Sequence, residues 1–295
     1  MKLRGWVFIA ACGVGSLLSG CGGGSSSPSA LAGNWLIVGP MPTNQLQLPP
    51  ATSGFELAMT FDVTGDNIVG AGFVSAPCQQ TSSPILLGTV GVLFGTGASG
   101  TVAADGSFSV QTSANSVGSI SIQGKTPQRG AGEWPGSYTA SINPSIGPAC
   151  MGSSAGPVSA TSFPLISGVY AGAGTINGST GATPVSFQMT LQQGGTVVDQ
   201  ATGKSVSSNL ALAGSIRVQG SPCFSSGVMN PSPLSAVEGN QVVAEFTMDD
   251  GSTLRVSGTL TDATEIRLTT VASVIAGQCG KVPYFFQVPE LDRQS

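Results

Sequence analysis

The sequence predicts an all-β protein built from antiparallel strands. Apolar and polar residues alternate over many short runs, and no segment keeps helical i, i+3, i+4 apolar spacing over the length of a helix. Apolar residues make up 40% of the chain and charged residues only 8%. Alternating blocks with this apolar content can bury a core, which a low-complexity disordered chain cannot do.

The alternation is clearest in four runs of the C-terminal half, over residues 185–191, 210–218, 242–248 and 254–260. In each run the apolar side chains fall on one face and the polar side chains on the other, as in half-buried strands. Turn signals of the kind that join antiparallel strands occur at Asp66-Asn67, Gly239-Asn240 and Asp250-Gly251.

The chain also repeats short patterns in the same order. The matched pairs are Leu31-Ala32-Gly33-Asn34-Trp35 with Ile166-Ser167-Gly168-Val169-Tyr170, Met59-Thr60 with Met189-Thr190, Pro77-Cys78 with Pro222-Cys223, Asp105-Gly106-Ser107 with Asp250-Gly251-Ser252, and Cys150 with Cys279. Their shared order predicts two copies, a first β domain over residues 31–165 and a second over 166–291, followed by a tail at 292–295.

Each copy offers about eight strand-like runs, which is the number that closes an up-and-down barrel. Closure removes the exposed sheet edges that would otherwise invite pairing with other chains. The sequence therefore predicts two tandem antiparallel β-barrels. Two β-sandwiches are the alternative, because both architectures need the same alternation.

The first 21 residues have the layout of an export signal. Lys2 and Arg4 precede an apolar run over residues 6–18, which is shorter than the roughly 20 residues of a membrane-spanning helix. The run ends in Leu18-Ser19-Gly20-Cys21, which resembles the lipobox of bacterial lipoproteins. An uncleaved signal anchor is the alternative.

The lipobox resemblance implies a defined processing of the chain. Residues 1–20 would be a signal peptide that is cut off, and Cys21 would carry the lipid, with acyl chains such as palmitate. Two or three acyl chains give stable attachment to a membrane, whereas one is marginal. Gly22, rather than Asp, after the cysteine implies the outer membrane in a Gram-negative cell. Residues 21–30 are then the lipidated cysteine and a flexible Gly/Ser linker.

The start of each copy resembles another family. Gly33-x-Trp35 and Gly168-x-Tyr170 resemble the G-x-W of the first lipocalin strand, in which the aromatic residue plugs one end of the barrel. Tyr170 departs from the lipocalin Trp. The whole layout is similar to lipocalin-like lipoproteins of soil bacteria, a resemblance that implies a fold and an anchor but no activity. In the alternative β-sandwich, Trp35 and Tyr170 would be ordinary aromatic residues of the core and would plug no barrel.

Four cysteines remain after Cys12 leaves with the signal and Cys21 is lipidated. Four cysteines allow three pairings. The duplication selects Cys78–Cys150 and Cys223–Cys279, one bridge within each copy, in an oxidising exported compartment. A metal site is not expected, because close CxxC spacing and His are both missing from the sequence.

Composition and motifs argue against several functions. Without residues 1–20 the chain keeps eight basic and fourteen acidic residues, a net charge of −6, which disfavours nucleic-acid binding. The chain has no His, the commonest general base, so we expect neither an enzyme nor a cofactor site. Asp249-Asp250 reads as a solvated hairpin turn. The G-x-G-x-x-G match at residues 95–100 reads as a flexible turn, because no helix follows it.

Two functional classes remain for a lipid-anchored protein of the cell envelope. In the first, each barrel is a non-catalytic binding module for an apolar small molecule or lipid. In the second, barrels with solid cores act as a structural or adhesion spacer at the cell surface. A β-channel in the outer membrane is a third interpretation, disfavoured by an aromatic content of only 6%.

Overall fold

The computed structural model describes residues 28–40, 54–79, 89–113, 118–142, 152–178, 181–198, 205–231, 234–262, 264–274 and 285–294. The predicted signal peptide and Cys21 lie outside these residues. Among the described residues, no helix is long and apolar enough to cross a membrane.

The first copy folds as a closed barrel of eight antiparallel strands, which we call barrel 1. Its strands are β1 (Gly33–Pro40), β2 (Gly54–Thr64), β3 (Asn67–Gln79), β4 (Thr89–Val102), β5 (Ser107–Thr112), β6 (Gly118–Lys125), β7 (Glu133–Ile142) and β8 (Gly152–Phe163). Each strand pairs with the next, and β8 returns to β1 from Asn34↔Phe163 to Val38↔Ser159. This closing pair excludes the sandwich alternative for the first copy.

The second copy also closes on itself, as barrel 2. Its strands are β9 (Ser167–Gly178), β10 (Gly181–Gln193), β11 (Thr196–Val198), β12 (Ser205–Ser207), β13 (Leu212–Gln219), β14 (Ser226–Met229), β15 (Ala236–Glu238), β16 (Gln241–Met248), β17 (Thr253–Leu260), β18 (Glu265–Val274), β19 (Phe285–Gln287) and β20 (Glu290–Arg293). β9 pairs with β10 on one side and with β19 and β20 on the other.

Two positions of barrel 2 are divided between short strands. β19 and β20 share the eighth position, and β14 and β15 both pair with β16 at the fourth. β11 and β12 form a separate hairpin between the second and third strands. The prediction of two tandem antiparallel barrels is therefore confirmed.

Each barrel has two distinguishable ends. We call the end at which β8 finishes and β9 begins the linker end, because residues 164–166 join the barrels there. The opposite end is the far end. Because the strands alternate in direction, the first, third, fifth and seventh strands start at the linker end of each barrel.

Alternation places one side chain in two inside each barrel. In β5, Phe108 and Val110 are buried whereas Ser109 and Gln111 are exposed. The interior side chains form one continuous apolar cluster in each barrel. Interior glycines lie beside large neighbours, and a methyl group on Gly124 would lie 2.9 Å from the Phe108 ring. Small and large residues thus interdigitate in the described part of the interior.

Two predicted boundaries differ from the structure. A 3₁₀ turn at Pro28–Leu31 replaces the last part of the predicted flexible linker, because Leu31 is fully buried at the linker end of barrel 1. At the C-terminus, β20 includes Asp292 and Arg293, which were predicted to lie in a tail. Leu291 is fully buried in the core of barrel 2 and draws this segment into the sheet.

The interpretation of residues 95–100 as a turn is wrong. These residues lie inside β4, paired with β3 from Gly72↔Thr96 to Ile68↔Gly100. A Cβ on Gly100 would lie 2.8 Å from Cα of Val110 on β5. The glycine here permits close approach of neighbouring strands, which is a strand role for glycine rather than a turn role.

The internal repeat holds for some matches and fails for one. Trp35 pairs with Met59 in barrel 1, and Tyr170 pairs with Met189 in barrel 2. The Asp-Gly-Ser match, by contrast, joins positions that are not equivalent. The turn after Asp105 follows the fourth strand at the linker end, whereas the turn after Asp250 follows the fifth strand at the far end.

Candidate functional site

Buried polar residues gather where the two barrels meet. We call this contact the inter-barrel interface; it comprises Asn34, Thr60 and Asp62 of barrel 1, and Gln193, Ser208, Asn209 and residues 237–240 of barrel 2. The barrel 1 residues lie on the outer faces of β1 and β2. The barrel 2 residues all come from its linker end.

Asn34 and Gln193 form a reciprocal amide pair at the centre of the interface. Asn34 Nδ2 donates to Gln193 Oε1 at 3.0 Å, and Gln193 Nε2 donates to Asn34 Oδ1 at 2.8 Å. Two further bonds reach the linker, since Asn34 Nδ2 donates to the Pro164 carbonyl and the Ile166 N–H donates to Gln193 Oε1. The two side chains are only 1% and 3% exposed, so the pair is sealed from water.

Thr60 joins this pair to the hairpin between β15 and β16. Its Oγ1 lies 2.6 Å from Asn34 Oδ1 and 2.8 Å from the Val237 carbonyl oxygen, and it donates its one hydrogen to either. The Gly239 N–H donates to the same oxygen at 3.1 Å. Thr60 is fully buried, whereas Thr190 at the matching position of barrel 2 is exposed.

Asp62 binds the segment that precedes β13. The Ser208 hydroxyl donates to Asp62 Oδ2 at 2.5 Å, and the Asn209 N–H donates to Oδ1 at 2.6 Å. Asn209 Nδ2 also donates to the Phe61 carbonyl at 3.0 Å. Each such bond contributes about 0.5–1.5 kcal/mol, and a buried partner left unpaired costs about 1–3 kcal/mol.

These polar groups bind one another across the interface. The arrangement therefore fixes the orientation of one barrel against the other. A buried hydrogen-bond network destabilises the protein when some of its polar groups lack partners. It therefore favours the one orientation of the two barrels in which these groups are paired.

The two predicted plug aromatics lie at the linker ends. Trp35 is 2% exposed, its Nε1 donates to the Leu31 carbonyl at 2.8 Å, and its ring meets Trp134 edge-on at 5.9 Å. Phe108 continues this aromatic group against Trp134 at 5.1 Å. Tyr170 is 1% exposed in barrel 2, and burial raises the pKa of its phenol.

Of the predicted disulfide cysteines, Cys223 is the one whose side chain is described. It lies between β13 and β14, packs against the core of barrel 2 and takes part in a disulfide bond. Its partner is not among the described side chains, so the pairings Cys78–Cys150 and Cys223–Cys279 stay predictions. Cys78 lies in β3 with its backbone paired to Val90, and Cys150 and Cys279 lie outside the described residues.

The strand order is compatible with those pairings. Cys78 is at the far end of the third strand, and Cys223 follows the third strand of barrel 2. In sequence, Cys150 and Cys279 follow the seventh strands, which also finish at the far end. A disulfide bond within each barrel would therefore join two chain positions that the strand order assigns to the far end of that barrel.

The Asp249-Asp250 pair lies in a turn at the far end of barrel 2. The Ser225 hydroxyl donates to Asp249 at 2.6 Å, and this bond and those from Ser226 hold the pKa of Asp249 below its ordinary value. Asp250 accepts from Ser252. Among the described residues, no group of three or more His, Cys, Asp or Glu side chains is placed to hold a metal ion.

Surface grooves lie outside the barrels. A groove of about 450 Å³ runs over outward-facing residues such as Gln188 and Arg217, and one of about 290 Å³ over Ser121 and Thr139. Their linings are mostly small and polar residues.

Sequence reasoning missed the inter-barrel interface. Asn34, Thr60 and Asp62 occupy outward positions, which alternation assigns to solvent. The one available signal is that Asn34 stands where the second copy has Val169, because a repeat that contacts its partner with one face diverges there.

Comparison with known proteins adds no family. No protein-family model matches the chain, and no curated protein matches it in sequence.

Proposed function

We propose that this protein is a lipid-anchored protein of the bacterial envelope whose two solid barrels act together as a rigid, non-catalytic spacer. The observation that carries the proposal is the continuous apolar cluster that the described side chains form inside each barrel. It favours the spacer, although the sequence alone favours the apolar-binding module over the spacer.

A binding barrel needs an interior void of several hundred Å³. In barrel 2, three phenylalanine rings pack together inside the barrel towards the far end. The centroid of the Phe286 ring lies 5.3 Å from that of Phe187 and 6.0 Å from that of Phe224. In barrel 1, Trp35, Trp134 and Phe108 fill the linker end in the same way. In the part of each barrel that the structure describes, these rings occupy space that an interior ligand would need.

The outer faces support a location in water. Ser109, Gln111, Ser137 and Thr139 point outward from β5 and β7 and are exposed. A membrane-inserted barrel has the opposite arrangement, with an apolar band facing lipid. The proposal therefore places both barrels outside the bilayer and leaves attachment to Cys21.

The anchor would hold barrel 1 close to the membrane. Pro28, where the described 3₁₀ turn begins, lies seven positions after Cys21. A fully extended segment of that length spans at most about 25 Å. Gly22 after the lipidated cysteine supports the outer membrane as the address, in a Gram-negative host.

One expression experiment tests both parts of the proposal. The wild-type chain and Cys12→Ala are expected in the membrane fraction, because Cys12 leaves with the signal peptide. Cys21→Ala is expected to leave the membrane fraction, because it has no acyl attachment site. Membrane-bound Cys21→Ala would contradict the anchor.

The chains from the same experiment are then examined by native mass spectrometry. We expect Cys21→Ala to have the mass of the polypeptide alone and to bind no added fluorescent fatty acid at micromolar concentrations. A stoichiometric apolar molecule retained in the complex would contradict the spacer and restore the binding module.

A further inference from the structure

Glu238 lies between two hydrogen bonds that hold barrel 2 against barrel 1. Its strand, β15, pairs with β16 and contacts β1, β2 and β3 of barrel 1. The residues on either side both bind Thr60, Val237 through its carbonyl oxygen and Gly239 through its N–H. The backbone at Glu238 is therefore fixed against the other barrel.

Gly239 brings the two barrels into backbone contact. It has φ +59°, and a Cβ at this position would lie 2.7 Å from the Met59 nitrogen and 2.8 Å from the Ala58 Cα. The hairpin is therefore packed tightly against barrel 1. Separation of the hairpin from that surface would give the buried side of Glu238 more access to water.

Glu238 is half-buried, and one oxygen of its carboxyl group lies away from water. Its Oε2 is buried and has no hydrogen-bond partner. Burial raises the pKa of Glu238 from 4.5 to about 7. An ionised carboxylate at this place loses hydration at Oε2 and gains no hydrogen bond at that atom in return.

The charged residues of β15 and of the strands that it contacts or pairs with are all acidic. β1 and β3 carry no charged residue, β2 carries Glu56 and Asp62, and β16 carries Glu245. Glu245 is bound to Arg255 of β17 at 2.7 Å, and Asp62 is bound to Ser208 and Asn209. No Lys or Arg occurs in β1, β2, β3, β15 or β16.

We propose that the inter-barrel interface loosens when Glu238 loses its proton, so that the rigidity of the molecule depends on the pH around it. The contacts of the hairpin with barrel 1 do not depend on the proposed spacer function. The effect of pH on the rigidity of that spacer does rest on the proposed function. At low pH the two barrels would act as one body, and at higher pH the hairpin would separate more often.

The direction follows from proton linkage. Below pH 4.5, Glu238 is protonated whether the hairpin is docked or free. Between pH 4.5 and about 7, the docked form keeps a proton that the free form releases, so rising pH disfavours docking. Well above pH 7 the effect is complete and amounts to roughly three hundredfold in the docking equilibrium.

Hydrogen exchange of the full acylated chain in detergent tests the proposal, with the Gly239 amide as reporter. After correction for intrinsic exchange rates, we expect its protection to fall at least tenfold between pH 5 and pH 8 in the wild type. In Glu238→Gln it should stay constant, and Glu290→Gln, an exposed acid of barrel 2, should behave as the wild type. The same pH profile in the wild type and in Glu238→Gln would overturn the proposal.

A second measurement needs no variant. The side-chain carboxyl of Glu238, followed by carbon NMR, should titrate near pH 7, and a midpoint near 4.5 would overturn the proposal. A different result would contradict the spacer function. Barrels that move independently at both pH values contradict the spacer, whereas barrels that stay joined at both values contradict only the role of Glu238.

Discussion

Replacement of Trp35 by alanine is expected to destabilise barrel 1 by about 3–5 kcal/mol, the usual cost of deleting a buried aromatic side chain. Trp35 is 2% exposed, meets Trp134 edge-on and donates a hydrogen bond to Leu31. Its removal opens a cavity at the linker end and leaves the Leu31 carbonyl without its partner. Urea denaturation followed by far-UV circular dichroism measures the change.

The control for this variant is Val69→Ala on the outer face of the same barrel. Val69 is 53% exposed, so we expect its replacement to change the free energy of unfolding by no more than about 0.5 kcal/mol. If Trp35→Ala were as mild as Val69→Ala, the linker end of barrel 1 would not be packed as described.

Replacement of Gly239 by alanine is expected to separate the two barrels. The new methyl group would collide with backbone atoms of Trp35, Ala58 and Met59, and the left-handed φ of +59° adds strain of about 1–2 kcal/mol. We expect unfolding to divide into two transitions, because the barrels would lose their mutual stabilisation. Differential scanning calorimetry of the wild type and the variant measures this.

Gly65→Ala is a matched control for the backbone strain. Gly65 has the same φ of +59°, and a Cβ there would meet no atom within 4 Å. It should therefore show the strain alone, within barrel 1. Equal effects of the two substitutions would mean that Gly239 makes no close contact between the barrels.

The barrel architecture was predictable because it depends on alternation. Runs such as residues 185–191 and 254–260 place apolar side chains on one face, and both lie within strands of barrel 2. A β-sandwich has the same alternation of apolar and polar side chains along its strands, however. The pairing of β1 with β8 decides between them, and that contact joins residues more than 100 positions apart.

The errors of sequence reasoning have a common physical cause. Gly95–Gly100 looked like a turn because glycine is permissive, but in β4 the missing side chain allows strands to approach. The Asp-Gly-Ser match paired turns at opposite ends of two barrels, because turn chemistry does not depend on which strands a turn connects. Local signals identify an element and not its place in the fold.

The interface was not predictable for a related reason. Asn34 and Thr60 are polar residues on outward strand positions, where polarity normally indicates contact with water. They bind partners 159 and 177 positions away instead. Similarly, nothing in the sequence distinguishes Glu238 from an exposed acid, because its burial results from the docking of β15 on barrel 1.

The central claim is that two packed barrels form one body through the inter-barrel interface. Backbone nitrogen-15 NMR relaxation at pH 5 tests it most directly, with reporter amides in β6 of barrel 1 and β17 of barrel 2. We expect both barrels to give one rotational correlation time, that of the whole molecule. Two shorter and different times would show that the barrels move independently, and would contradict the claim.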